Sequence, residues 1–261
     1  MKILVLGDIV GKPGRQAVKH FIKNFLQVNE IDLIIANGEN AAGGNGITKD
    51  TAVELFNSGI NVLTMGNHVW DKKEAIKLID SEYRIVRPAN YPPGTPGKGY
   101  TVVKTKTGDK VAVLNLSGRV FLSNLDCPFR LGEQLIKEIK QVTNKIIIDF
   151  HAEATSEKIA FAWFMDGKVS AIYGTHTHVP TNDFRILPKG TAYITDLGMS
   201  GPRDSVLGVK TELAIQKFIT QMPVRFEVAN GPVQVNGIIL ELMDDGKASK
   251  IEPVLVNYKY I

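Results

Sequence analysis

Three times near the start of the chain, a short apolar run ends at a polar or glycine-rich loop and gives way to residues spaced for a helix. Residues 2–6 run into Gly7-Asp8, after which Val18, Phe21, Ile22, Phe25 and Leu26 recur at helical spacing within 13–29. Residues 33–36 run into the loop 38–46, with a helix over 48–59 beyond it. Residues 62–65 run into Gly66-Asn67-His68, followed by a helix around 72–80. A run that is apolar at every position, not at alternate ones, suits a strand buried on both faces. Strand, loop and helix repeated in this way over about 80 residues dictate a mostly parallel, doubly wound α/β beginning.

The chain then changes character. Residues 87–97 are rich in proline and glycine and can be neither helix nor central strand. The runs 100–105 and 111–116 flank Thr107-Gly108-Asp109, which has hairpin chemistry. Residues 117–132 are irregular and polar-aromatic, so a small flap or cap over a site is expected within 87–132. A helix over 133–143, strands over 145–150, 171–173 and 191–195, and a helix over 209–220 follow. The tail, 224–228, 233–243 and 248–258 with Asp244-Asp245-Gly246 between the last two, reads as an antiparallel meander.

With 261 residues, 44% of them hydrophobic, the chain can bury a sizeable core. A single domain over 1–261 is expected, because the candidate site residues are spread from Asp8 to His178. The net charge of +4 is mild and the lysines are scattered, which favours a solvated basic surface over a dedicated nucleic-acid face. Cys127 is the only cysteine, excluding an internal disulfide and a Cys-rich zinc site. No apolar run approaches the ~20 residues of a membrane span, and a soluble cytoplasmic protein with no membrane partner is expected.

Chemistry concentrates at the strand ends. Of the five histidines, His68, His151, His176 and His178 each follow an expected strand, while His20 lies on a polar helix face. Ligands of open α/β sheets collect at the carboxyl ends of strands, so these loops should open onto one crevice. Asp8 and Glu39-Asn40 end two further strands there. Imidazole, carboxylate and amide oxygens suit manganese, iron or zinc. Two such ions about 3.5–4 Å apart need a bridging carboxylate, for which Glu39 is the candidate, and a bridging hydroxide. With Asp8 and Glu39 as the only ionised ligands the centre stays positive and suits a phosphate ester, while hydroxide becomes available near neutral pH. His176 and His178, two residues apart, either share a strand face or, in a tight loop, serve one metal each. At Asn67-His68 an Asn able to bind a metal adjoins a His able to donate a proton.

Taken in order, Asp8, Gly38-Glu39-Asn40, Gly66-Asn67-His68, His151 and Gly174-Thr-His-Thr-His178 resemble the motif set of calcineurin-like metallophosphoesterases. Gly7-Asp-Ile-Val-Gly11, Ala36-Asn-Gly-Glu-Asn-Ala41, Gly174-Thr-His-Thr-His-Val179 and Ile194-Thr-Asp-Leu-Gly-Met199 are similar to the bacterial YmdB-like branch. The resemblance implies a four-layer αββα sandwich of mixed sheets with helices on the outer faces, and a dinuclear manganese or iron centre. It also implies phosphodiesterase activity, including on 2′,3′-cyclic AMP, and a homo-oligomer, dimer or tetramer. Carried over residue by residue, metal one takes Asp8, Glu39, Asn40 and His178, and metal two takes Glu39, Asn67, His151 and His176. His68 faces the scissile ester and protonates the leaving oxygen. The chain departs from the broad superfamily where Asp-x-His becomes Asp8-Ile-Val10 and where Glu39 stands for the bridging Asp; Asn40 is assigned to the vacancy.

Other readings compete. Gly7–Pro13 resembles a phosphate-binding loop, but Gly7 to Gly11 is one residue short and Pro13 stands where Ser or Thr must hold magnesium. Gly43-Gly-Asn-Gly46 reads as a mobile turn before a phosphate cradle. Arg119, Arg130 and Arg203, in stretches read as irregular, are candidate phosphate contacts. Tyr91 and Phe121 are candidate base-stacking rings, with packing under a loop the simpler reading for both. Asp183 and Asp196 are candidates for orienting metal-bound histidines, and Cys127 reads as structural. A metal-stabilised RNA- or protein-binding regulator with little turnover is the alternative function, RNA being a possible partner beside a small phosphodiester or nucleotide. A hydrolase of C–N bonds fits less well, since Asn67-His68 is not its pattern.

Overall fold

The computed structural model describes residues 1–259; the last two residues of the 1–261 domain expected from the sequence lie outside it. The first half of the chain runs β1 (Lys2–Ile9), α1 (Gly11–Phe25), β2 (Leu33–Asn37), α2 (Lys49–Asn57), β3 (Val62–Thr64), α3 (Ala75–Ser81) and β4 (Ile85–Val86). Then come β5 (Tyr100–Lys104), β6 (Lys110–Ser117), α4 (Pro128–Ile139), β7 (Ile146–His151), α5 (Thr155–Met165) and β8 (Ala171–Thr175). The chain ends with β9 (Arg185–Ile186), β10 (Ala192–Ile194), β11 (Met199–Pro202), α6 (Thr211–Thr220), β12 (Val233–Leu242) and β13 (Ala248–Tyr258).

Two mixed sheets result. The seven-stranded sheet has the order β13-β12-β11-β1-β2-β3-β4, and the six-stranded sheet β5-β6-β7-β8-β10-β9. β1 to β4 are parallel to one another and β6, β7, β8 and β10 likewise, so each sheet presents a row of carboxyl ends on one side. β1 pairs with β12 through Lys2–Leu6 and then with β11 at Asp8 and Ile9. The late strands thereby close around the first one.

Alternation within β1 shows why its run is apolar throughout. Ile3 and Val5 pack between the sheets with Val113, Ile147 and Ala171 of the other sheet, whereas Leu4 and Leu6 face outward onto Val18, Phe21 and Ile22 of α1. On the opposite outer face Leu114, Leu116 and Ile148 pack against Ile136 of α4 and Phe161 of α5. The layers are therefore helix, sheet, sheet and helix, a metallophosphoesterase-type sandwich as expected. Among the described residues no helix is long and apolar enough to cross a membrane.

Several local readings need correction. The expected 133–143 helix opens earlier, at Pro128, and runs through Gly132, where a Cβ would come within 3.0 Å of Leu116 and Met165. Arg130 thus lies on a helix instead of an irregular segment. α5 lies in a stretch with no expected element; its run Ile159–Met165 is apolar on all sides and hides the helical period. Residues 224–228 are not a strand. They alternate like one, but among the described residues they form a single isolated bridge, Val228 to Val209, beside one backbone bond from Lys210 N–H to Glu227 O.

Candidate metal centre

The carboxyl ends of β1, β2, β3, β7 and β8 meet at the seam between the sheets, and the ligands expected from the sequence lie there together with His68. Asp8, Glu39, Asn40 and His151 are buried, and Asn67, His68, His176 and His178 are partly open. Glu39, His151 and His176 offer donor atoms all within 4.8 Å of one another. His151 Nε2 lies 3.2 Å from Glu39 Oε1 and 2.9 Å from Asn67 Oδ1. Beside them a second group forms, with His178 Nε2 3.3 Å from Asn40 Oδ1 and 3.9 Å from Asp8 Oδ1.

The hydrogen bonds fix which atoms carry lone pairs. Leu207 O can only accept, so the His178 Nδ1–H that donates to it at 3.1 Å leaves Nε2 as the bare nitrogen. Asn40 Nδ2 donates to Gly44 O at 3.0 Å, which turns Oδ1 toward His178. Asp8 Oδ1 is buried with no partner. Three acceptor atoms thus converge, an arrangement that a cation satisfies. His151 repeats the logic. Thr175 Oγ1 donates to Asp149 Oδ1 at 2.6 Å and so accepts from His151 Nδ1 at 2.9 Å, leaving His151 Nε2 to face Asn67 and Glu39 oxygens. The donor set fits divalent metal at both places.

Without a cation, protonation responds to the crowding. Burial lifts the Asp8 carboxyl well above its usual range, and the charges of Asp196, Glu39 and Asp149 add to that. Burial alone would lower the His151 imidazole, but Glu39, Asp8 and Asp149 outweigh it and raise it to about 9. A proton on Nε2 then stands where a cation would. His176 is pushed down to about 3 by burial and by His151, and remains a neutral, ligand-ready imidazole.

Local sequence explains how so many polar groups fit. A Cβ on Gly66 would overlap Glu39 Oε2 and His151 Nε2, so only glycine lets the Asn67 loop close over the carboxylate. His176 and His178 both have positive φ, 96° and 65°, which turns their rings to different groups. The strained loop is held from both sides: the His176 N–H donates to Asp8 Oδ2 at 3.2 Å and the Thr177 N–H to Asp196 Oδ2 at 3.2 Å. His176 Nε2 also lies 3.0 Å from the half-exposed Glu153.

His68 stands apart from both groups. Its backbone N–H donates to Glu39 Oε2 at 3.0 Å, and its ring, 38% exposed, lies 2.9 Å from Asp71 through Nδ1. Asp71 also accepts from Asn45 at 2.8 Å, which ties the glycine-rich loop to the His68 ring.

Some supporting residues escaped the sequence. Buried Asp149 accepts from Thr64, Thr175 and Asn37, joining three strand ends, and burial pushes it up to about 6. Lys158 is buried in α5, where it pairs with Asp196 at 2.6 Å and donates to Thr175 O at 2.9 Å. Asp196 steadies the histidine loop through its backbone, and Asp183 bonds Thr181 and Thr195; neither touches an imidazole, contrary to expectation. Tyr91 packs edge-on to Trp70 at 5.6 Å, as the packing reading had it, whereas Phe121 is 87% exposed with φ 61° and is not packed under a loop. Arg203 pairs with Asp204 on the surface.

The comparisons with known proteins agree with this geometry. Residues 4–254 match the family described as YmdB-like protein. A 2′,3′-cyclic-nucleotide 2′-phosphodiesterase of Bacillus subtilis (strain 168) is 52% identical over 258 residues, covering 98% of this chain and 97% of that protein. A crystal structure of a hypothetical protein from Thermus thermophilus superposes with TM-score 0.93 at 40% identity, covering 98% of this chain and 99% of that one. A crystal structure described as a novel phosphatase from Mycoplasma pneumoniae does so with TM-score 0.92 at 37% identity, covering 98% and 93%.

Proposed function

Because the chain belongs to the YmdB-like family, we propose that it is a metal-dependent phosphodiesterase that hydrolyses 2′,3′-cyclic nucleotides, opening the ester to the 2′ oxygen. The observation that carries this is the pair of adjoining groups of converging acceptor atoms. Asp8, Asn40 and His178 would hold one divalent ion and Asn67, His151 and His176 the other, with Glu39 the carboxylate that would serve both. Nitrogen and oxygen donors without thiolate suit iron or manganese, with zinc as the alternative. Such ions supply Lewis acidity at the phosphoryl oxygens and make hydroxide available near neutral pH.

His68 delivers a proton to the departing 2′ oxygen as hydroxide adds to phosphorus and the P–O2′ bond breaks, leaving a 2′-hydroxyl and a 3′-phosphate. Asp71 on Nδ1 orients the ring so that Nε2 is the donating nitrogen. Gly118 N–H donates to His151 O, which makes the stretch that begins there the candidate rim within 87–132, with Arg119 the candidate phosphate contact. The chain is read as one domain that assembles as a dimer or tetramer and works in the cytoplasm.

The test is uptake of manganese, iron or zinc by metal-free protein, followed by a screen of cyclic, linear and monoester phosphates. The reading expects two ions per chain and fastest turnover of 2′,3′-cyclic nucleotides. A protein that takes up no metal, or that prefers monoesters, refutes it.

A further inference from the structure

We propose that the groove beside the metal centre receives the nucleobase of the substrate, with the Phe226 ring as its stacking face and Leu207 and Val228 beside it. This rests on the phosphodiesterase reading of the same site.

The groove has a volume of about 380 Å³, and its lining joins Asn40, His68 and His178 to Leu207, Phe226 and Val228. One side is thus the cleavage machinery and the other is apolar, so an occupant of the groove is the organic group carried by the phosphate at the centre. At the apolar side a flat neutral ring meets the aromatic face of Phe226. Glu227, which also lines the groove, has its charge balanced by Lys210 at 2.6 Å.

The apolar wall is held in place by the same contacts that build the metal centre. Leu207 has φ 53°, a conformation unfavourable for a residue with a branched side chain, inside a turn where Val206 and Val209 exchange two hydrogen bonds of 2.9 Å. Its carbonyl accepts from His178 Nδ1 while its side chain lines the groove, so one strained residue both orients a metal-facing imidazole and shapes the wall. Val228 is seated against the glycine loops, since a Cβ on Gly11 or Gly44 would come within 3.0 or 3.1 Å of it. The Val209–Val228 bridge and the Lys210 N–H on Glu227 O at 3.0 Å fix the segment on which Phe226 stands, 53% exposed.

The test compares 2′,3′-cyclic AMP with the 2,3-cyclic phosphate of methyl riboside, which has the same reacting ring and no base, on the full chain loaded with manganese. Wild-type protein should prefer the nucleotide in kcat/KM. Phe226→Ala should reduce that preference roughly tenfold, through KM, and weaken equilibrium-dialysis binding of 3′-AMP by a similar factor; Phe226→Trp should restore both. Equal kcat/KM for the two wild-type reactions would overturn the base site and leave the diesterase reading standing. Turnover of neither compound, with no binding of 3′-AMP, would overturn both. A Phe226→Ala protein that sediments at a lower mass and loses both reactions equally would assign the wall to a second copy of the chain, with the exposed Phe218, Ile219 and Met222 at the end of α6 as its continuation, and reject the base site.

Discussion

The two sheets bring different chemistry to the seam between them. The seven-stranded sheet supplies carboxylates and amides, Asp8, Glu39, Asn40 and Asn67, with the His68 imidazole held apart from both groups of donor atoms. The six-stranded sheet supplies imidazoles, His151, His176 and His178. Their supports differ as well. The acidic half is shaped by small residues such as Gly66 that let oxygens approach, the imidazole half by buried polar pairs such as Lys158–Asp196 and Thr175–Asp149. Neither half alone brings together both the negative charge and the neutral nitrogens that a divalent site of this kind needs. The centre exists because the sandwich is closed.

Substitutions can break this comparison, starting with the largest effect. His68→Ala should lower turnover by about 10²–10⁴ while leaving metal content intact, with a smaller loss on esters whose leaving group needs no proton. A uniform loss across leaving groups would deny His68 its separate role in the acidic half. Lys158→Met strips the counter-charge from buried Asp196 and should cost about 3–5 kcal/mol, seen as a melting temperature lower by roughly 10 °C. An unchanged melt would mean the imidazole half does not depend on that pair. Thr175→Val removes the acceptor of His151 Nδ1–H and should weaken metal affinity about 10- to 100-fold with the fold retained, measured by competition with a chelator. Lys250→Ala, at an exposed pair with Glu252 on β13 far from the seam, should leave melting and turnover indistinguishable from wild type.

The comparison also separates what the sequence made legible from what it hid. Residues that follow apolar runs were visible because a strand buried on both faces writes itself as an unbroken apolar stretch and its end is marked by the first polar side chain. Asp8, Glu39, Asn67, His151 and the His176–His178 pair were all found that way, and the structure gathers them. Lys158 and Asp149 were not. A buried lysine in a helix has the same letter as a solvated one, and an aspartate inside a strand declares its partners only when three other strand ends arrive. Asp71 was missed for a related reason: it stands a turn beyond His68, and only the local fold brings it back onto the ring. The misread stretch 224–228 alternates correctly, yet alternation states which face would pair and not whether a neighbouring edge is present.

The unpartnered oxygen of Asp8 bears on how long the protein persists as well as on what it does. Burial first, and then the charges of Asp196, Glu39 and Asp149, hold the Asp8 carboxyl above its usual range, a cost that is relieved when the chain unfolds. An ion bound only by the folded form then stabilises it by mass action, about 1.4 kcal/mol for each tenfold rise in free metal above its dissociation constant. The seam that gathers the ligand atoms would then also be where metal binding adds stability, so chelation would lower the melting temperature as well as the activity.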